Sequence, residues 1–234
     1  MPFMENGSLS KLMYKKGTFS EEEIVEIIRQ IGSGMAYLHR NNIVHQDIKP
    51  DNILVDREDN YLLTDFGISS KMRNTLTRHS TSKTAMTVSY APPERFGKYP
   101  QTTPAGDIFS FGVMMYELTT GEVPWMGAGG VVLRSDDQVP LIPETYSPAL
   151  SSIIEKCMSV DPANRPTARD LADFANDYFY KKSQPPAPVK GGKKTVLLNH
   201  DAVQYDQPPS GEKRSGTRKG SETVMDNRHD QKGK

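Results

Sequence analysis

The run His45-Gln46-Asp47-Ile48-Lys49-Pro50-Asp51-Asn52, followed by Asp65-Phe66-Gly67, places a base, a cation and two oxygen ligands close together in the chain. Phosphoryl transfer asks for that set. It needs little covalent chemistry from a protein; it needs positioning and stabilisation of the charge on the transferred group. Asp47 suits the proton of an attacking hydroxyl, and Lys49, two residues on, suits the transferred phosphate. Asn52 and Asp65 offer the oxygen ligands that hard Mg²⁺ prefers. Phe66 is expected to pack inward, and Gly67 to permit the backbone that turns Asp65 to the metal. Taken singly, Asp47 and Asp65 would read as ordinary surface acids; the ordered set favours the catalytic reading. His39 and His45 have no cysteine or carboxylate cluster around them, so a structural role outweighs a metal site.

The elements that must position these groups are legible as patterns. Ser20 and Glu23 form a capping box, and Ile24, Ile27, Ile28, Ile31, Met35 and Leu38 recur at helical spacing, which predicts a helix over 20–40. Ile53-Leu54-Val55 and Tyr61-Leu62-Leu63, separated by the polar run 56–60, predict a small hairpin. Residues 68–94 are polar and rich in Ser and Thr, which predicts a long loop. Thr75, Thr77, Ser80, Thr81, Ser82 and Thr84 in it are candidate phosphorylation sites, with a merely solvated loop nearly as good a reading of each. Ile108–Leu118 is apolar and runs to Gly121, a helix with a glycine stop. Two further helices are expected around 148–158 and 167–180, separated by Asp161-Pro162 and Arg165-Pro166. Gly32-Ser33-Gly34 falls inside the first long helix, where close helix packing explains it better than phosphate binding. Gly127, Gly129 and Gly130 read as a loop before a short helix.

The chain has 234 residues and a formal net charge of zero, so nothing global points to nucleic acid or to a membrane surface. The single cysteine, Cys157, forms no internal disulfide, which suits a reducing compartment. No apolar run is long enough to span a bilayer, and the N-terminus lacks the features of a signal peptide. A cytoplasmic, or at least intracellular, location is therefore expected. From about residue 183 prolines and glycines punctuate a polar stretch that buries too little apolar surface to offset chain entropy, and disorder is expected there. Thr195-Val196-Leu197-Leu198 is its one apolar knot.

The ordered motifs resemble the C-terminal lobe of a protein kinase of the Ser/Thr type, over roughly residues 1–180. Met1-Pro2-Phe3-Met4-Glu5-Asn6-Gly7-Ser8-Leu9 is similar to the hinge that grips adenine, followed by the next helix. The resemblance implies that Pro2, Met4 and Ser8 lie along bound ATP, with Leu54 as the floor under the adenine. It implies that Tyr90-Ala91-Pro92-Pro93-Glu94 closes the activation loop, with Pro92 where the family usually has Ala. Glu94 would then pair with Arg165, and Asp107 would brace the catalytic loop. Lys49, and Thr87 seven residues before Glu94, favour a Ser/Thr acceptor over Tyr. The implied fold is the α+β fold of the family, here mainly α-helical with a small β-hairpin. Residues 1–182 would form the hinge and C-lobe of the catalytic domain, and 183–234 a disordered polar tail. The implied partners are ATP with Mg²⁺ and a protein substrate carrying a Ser/Thr acceptor.

Two departures bear on activity. Gln46 stands where most of the family has Arg, a residue that gathers a loop phosphate, so activity is not expected to depend strictly on loop phosphorylation. The 234 residues also hold no G-x-G-x-x-G, no Val-Ala-Ile-Lys strand and no partner helix Glu. With the N-lobe missing, nothing would cover the ATP phosphates, and the chain alone is expected to be weakly active or inactive. Two rivals stand beside this reading. One is a non-catalytic kinase-like binding module or decoy; the other is a gene-model fragment.

Overall fold

The computed structural model describes residues 6–65, 70–71, 88–134 and 137–184, with 70–71 as backbone only. Pro2, Met4, Phe66, Gly67, Thr87, the Ser/Thr cluster and the 195–198 knot lie outside the described residues. In chain order the elements are β1 (Gly7–Ser8), α1 (Leu9–Lys16), α2 (Glu21–Arg40), β2 (Ile43–Val44), β3 (Ile53–Val55), β4 (Tyr61–Leu63), β5 (Ser70–Lys71), α3 (Pro104–Thr120), α4 (Pro148–Cys157) and α5 (Ala168–Ser183). Helix dominates and the sheets are small, the helix-rich α+β arrangement expected from the sequence.

Helix α2 starts where its capping box dictates. Ser20 Oγ accepts from the Glu23 N–H, and Glu23 Oε2 accepts from the Ser20 N–H at 2.9 Å. Glu21, Glu22 and Glu23 crowd the first turn and His39 and Arg40 the last, each sign matched to its end of the helix dipole. Ile24, Ile27, Ile28, Ile31 and Met35 are fully buried, as the helical spacing requires. Gly32 faces α5, and a Cβ there would lie 3.5 Å from the Ala172 amide nitrogen. The close helix packing expected of this glycine is therefore real.

Helix α3 is buried on nearly every side, which makes it the post around which the other helices pack. It begins earlier than its apolar run, because Thr103 Oγ1 accepts from the Gly106 N–H at 3.2 Å and Pro104 occupies the first turn. It stops at Gly121, whose φ of 81° is left-handed. At Gly112 the α3 backbone meets α4, and an added Cβ would sit 2.6 Å from Cys157 Cβ. Gly112→Ala is therefore expected to destabilise the chain by about 1–3 kcal/mol through overpacking. Urea denaturation followed by far-UV circular dichroism measures the shift.

Strands β1, β3 and β4 form an antiparallel sheet in which Ser8 pairs with Leu54 and Leu54 with Leu62. The turn between β3 and β4 is held by Asp56 Oδ1, which accepts from the N–H groups of Glu58 and Asn60 at 2.8 and 2.9 Å. Gln30 Oε1 accepts from the Tyr61 N–H at 2.8 Å and ties the hairpin to α2. A second sheet pairs β2 with β5. That pairing puts a strand at Ser70–Lys71, inside the stretch read from sequence as loop. Its partner is local neither in sequence nor in pattern, which is why composition missed it.

Gly127, Gly129 and Gly130 lie within two short 3₁₀ helices, Pro124–Gly127 and Gly129–Val132. Their purpose is close approach. A Cβ at Gly129 would fall 1.9 Å from the Val88 carbonyl oxygen, and one at Gly130 would fall 2.3 Å from the Pro93 nitrogen. The Gly130 N–H donates to Ala91 O at 2.8 Å, so the pair clasps the backbone of 88–93. No helix among the described residues is long and apolar enough to cross a membrane.

Candidate active site

The segment 45–52 runs between β2 and β3, and α3 holds it from below. Asp107 is buried, and its two carboxylate oxygens accept from successive backbone amides: Oδ2 from His45 N–H at 2.8 Å and Oδ1 from Gln46 N–H at 2.7 Å. His39 Nε2, at the end of α2, lies 2.8 Å from the same Oδ2. The bracing implied for Asp107 is thus present as a fork on the two residues that precede Asp47. Bonds of this kind to a charged acceptor are stronger than neutral ones.

His45 is wholly buried, and no cluster of metal-ligating side chains surrounds it among the described residues. Its Nδ1 accepts from the Asp47 N–H at 3.4 Å, which leaves Nε2 to carry the hydrogen donated to Thr64 O at 2.9 Å. The ring therefore links the two halves of the site, since Thr64 precedes Asp65.

Asn52 completes the arrangement. Its Nδ2 donates to Asp47 Oδ2 at 2.9 Å and to Asp47 O at 2.7 Å, and Lys49 Nζ lies 2.8 Å from the same Oδ2. The Thr64 N–H and Oγ1 both donate to Asn52 O, at 2.9 and 3.1 Å. Asp47, Lys49 and Asn52 are thereby brought into mutual contact, and Asp65 follows directly on the residue tied to Asn52. Asp65 is exposed, with φ at 62°. Gln46 has φ at 75°. Left-handed backbone at residues other than glycine costs on the order of 1–3 kcal/mol and persists where surroundings over-determine it. At Gln46 those surroundings are Asp107 on its N–H and Arg95 Nη1, which donates to Gln46 Oε1 at 3.0 Å. Arg95 also donates to Thr102 Oγ1 at 2.8 Å.

Ser8 and Leu54, the other predicted groups among the described residues, lie on the adjacent sheet. Ser8 sits beside Leu54 in register, and its hydroxyl lies 2.9 Å from Ser10 Oγ, which donates to Asp51 Oδ1 at 2.9 Å. Leu54 and Leu62 share the less buried face, while Ile53, Val55, Tyr61 and Leu63 point into the core. An apolar shelf at Leu54 is therefore open on one side.

On the other flank, Tyr90 Oη donates to Glu117 Oε2 at 2.6 Å and pins the 88–90 turn to α3. Burial raises both the Tyr90 phenol and the Glu117 carboxyl above their ordinary ranges. Glu94 and Arg165 pair through both oxygens, at 2.8 and 2.9 Å. The lone thiol plays no part in this chemistry. Cys157 is buried and desolvation pushes it up to about 12, so no thiolate is on offer at neutral pH.

Sequence reasoning missed Arg95, the Tyr90–Glu117 bond and the role of His39. For Arg95 a signal existed: Gln46 carries an amide oxygen beside the base and needs a donor. For His39 there was none, because its partner is remote in sequence.

A sequence model of the protein kinase domain matches residues 1–178 of this chain. The chain belongs to the protein kinase family. Among its relatives, the mitogen-activated protein kinase kinase kinase mkh1 of Cytospora mali is 33% identical over 205 residues, 82% of this chain and 11% of that protein. The serine/threonine-protein kinase STY17 of Arabidopsis thaliana is 33% identical over 183 residues, 74% of this chain and 31% of its own. The mitogen-activated protein kinase kinase kinase YODA of the same plant is 32% identical over 209 residues, 85% of this chain and 22% of its own. This kinase chain therefore spans less than a third of the length of each of these relatives.

Proposed function

We propose that this chain carries the acceptor and metal-binding half of a Ser/Thr protein kinase, which moves the γ-phosphoryl group of ATP to a protein Ser or Thr hydroxyl. The observation that carries the reading is the convergence of Asn52 Nδ2 and Lys49 Nζ on one oxygen of Asp47, at 2.9 and 2.8 Å. Both contacts go to Oδ2, so Oδ1 is the oxygen that meets an incoming hydroxyl. In the reaction the substrate oxygen bonds to phosphorus, the bond from phosphorus to the departing diphosphate oxygen breaks, and the hydroxyl proton passes to Asp47. Lys49 lies within reach of the charge on the transferred group.

The donor set suits Mg²⁺. Asn52 spends its amide nitrogen on Asp47, which leaves Oδ1 for a cation, and the exposed Asp65 adds a carboxylate. Two protein oxygens are what this ion takes when substrate phosphates and water supply the rest. Bound there, Mg²⁺ would neutralise phosphate charge. The Leu54 shelf beside Ser8 suits the adenine, and the family resemblance assigns Pro2 and Met4 to the same nucleotide. The acceptor is assigned as Ser/Thr on Lys49, in keeping with the names of the relatives. An intracellular location, where ATP is abundant, fits this reading.

The sequence holds no Gly-rich loop, and positioning supplies most of the rate in this chemistry. Purified 1–234 with Mg-ATP and a mixed Ser/Thr protein substrate is therefore expected to give turnover near background. A fusion that places a protein-kinase Gly-rich-loop lobe before Met1 is expected to phosphorylate Ser and Thr, and Asp65→Asn should abolish it. A folded fusion that binds Mg-ATP and transfers nothing would overturn the reading.

A further inference from the structure

The C-terminal end of α2 and the N-terminal ends of α3 and α5 enclose a cleft of about 850 Å³. None of the residues assigned above to catalysis or nucleotide binding lines it. Its depth is apolar: Ile108, Ala168 and Ala172 are buried at the base, with Ala36 and Pro166 beside them. Its rim carries two cations and one anion: Arg40, Arg169 and Asp173. Arg40 projects from the last turn of α2 and stacks over the Tyr37 ring at 5.8 Å. Arg169 stands opposite on α5, 82% exposed, with only a loose 3.7 Å contact to Asp173. Exposed pairs of that length hold their partners weakly.

We propose that this cleft is a binding site for a small organic anion with a flat apolar body, an aryl carboxylate or sulfonate. The volume lies in the range of roughly 300–1,000 Å³ that small-molecule sites occupy. An aryl body fills the alanine-lined base, where side chains are too short to close the space. The anionic group meets Arg40 and Arg169, and Arg40 with Tyr37 offers a planar stack for the ring edge. Arg165 also lines the cleft, but both ends of its guanidinium are engaged with Glu94, so the rim arginines supply the charge.

Occupancy would reach the catalytic loop. His39 forms part of the cleft wall, its Nε2 is 2.8 Å from Asp107 Oδ2, and Asp107 holds the amides of His45 and Gln46. A ligand that presses on His39 acts on the fork that positions Asp47. This coupling is reciprocal: whatever orders the loop alters affinity for the anion by the same factor.

The test is a fluorescence titration of 1–234 with 8-anilino-1-naphthalenesulfonate, which needs no catalysis. One saturable site is expected to weaken roughly tenfold or more in Arg40→Glu/Arg169→Glu, from loss of charge-assisted contacts. It is expected to vanish in Ala172→Trp, which fills the base, and to survive Leu62→Glu, which spoils the apolar shelf instead. Hydrogen exchange at the His45 and Gln46 amides should change on saturation. Both rim arginines are exposed, so their double variant folds. An unchanged titration in it overturns the site, as does a titration lost in Leu62→Glu alone. Unchanged exchange at His45 and Gln46 overturns the link to the loop.

Discussion

An Arg165→Met chain is expected to unfold about 3–5 kcal/mol more easily than its parent, the cost of stranding one partner of a buried ion pair. The Arg165 side chain is fully buried and Glu94 nearly so. Every N–H of the guanidinium is used: Nη1 donates to Glu94 Oε1 and Ala105 O, Nη2 to Glu94 Oε2 and Val160 O, and Nε to Ser159 O. The group also lies 4.9 Å over the Phe109 ring. Methionine fills much of the volume but satisfies none of those acceptors, and it leaves the Glu94 carboxylate facing apolar surface. The urea midpoint should fall while the slope stays constant, since the native surface changes little. Glu94→Gln in the same chain should recover part of the loss, because a neutral amide is cheaper to leave buried than a carboxylate. A loss below about 1 kcal/mol would mean the pair is no more than a surface contact.

That pair also marks what sequence can and cannot deliver. Glu94 and Arg165 are far apart in the chain, and only resemblance to a kinase joined them. By contrast, the α2 cap, the 53–63 hairpin and the Gly121 stop were legible from local physics alone. Ser20 with Glu23 satisfies orphan amides, the polar run 56–60 supplies Asp56 to tie its own turn, and Gly121 adopts a left-handed φ. Local rules stopped where a residue's job depends on a remote backbone. Gly129 and Gly130 look like loop residues until Val88 and Pro93 lie against them. Ser70–Lys71 becomes a strand because β2 is there to pair with it. Within the site, residue types showed what Asp47, Lys49 and Asn52 could do, but not that Asn52 and Lys49 converge on one oxygen. Nor did they show that Arg95 answers the oxygen of Gln46. Sequence patterns report periodicity and chemistry; orientation comes only with packing.

Orientation is what an Asp47→Asn substitution tests. In a fusion that carries a Gly-rich-loop lobe, kcat is expected to fall by about 10²–10⁴, the contribution of a positioned general base. The affinity for Mg-ATP should change little, since Asp47 faces the acceptor and the metal ligands are Asn52 and Asp65 in the proposed scheme. Asparagine keeps the shape and can still accept from Asn52 Nδ2 through its oxygen, so the loop, held by Asp107 on His45 and Gln46, should stay in place. Asn52→Ala makes the contrasting case. It removes the 2.9 Å contact that orients Asp47 and also one proposed metal ligand, so both kcat and the Mg²⁺ requirement should worsen. Steady-state kinetics with varied Mg²⁺ separates the two. An Asp47→Asn enzyme within tenfold of its parent would remove Asp47 from the role of base. The fork from Asp107 would then serve to hold the loop for Lys49 alone.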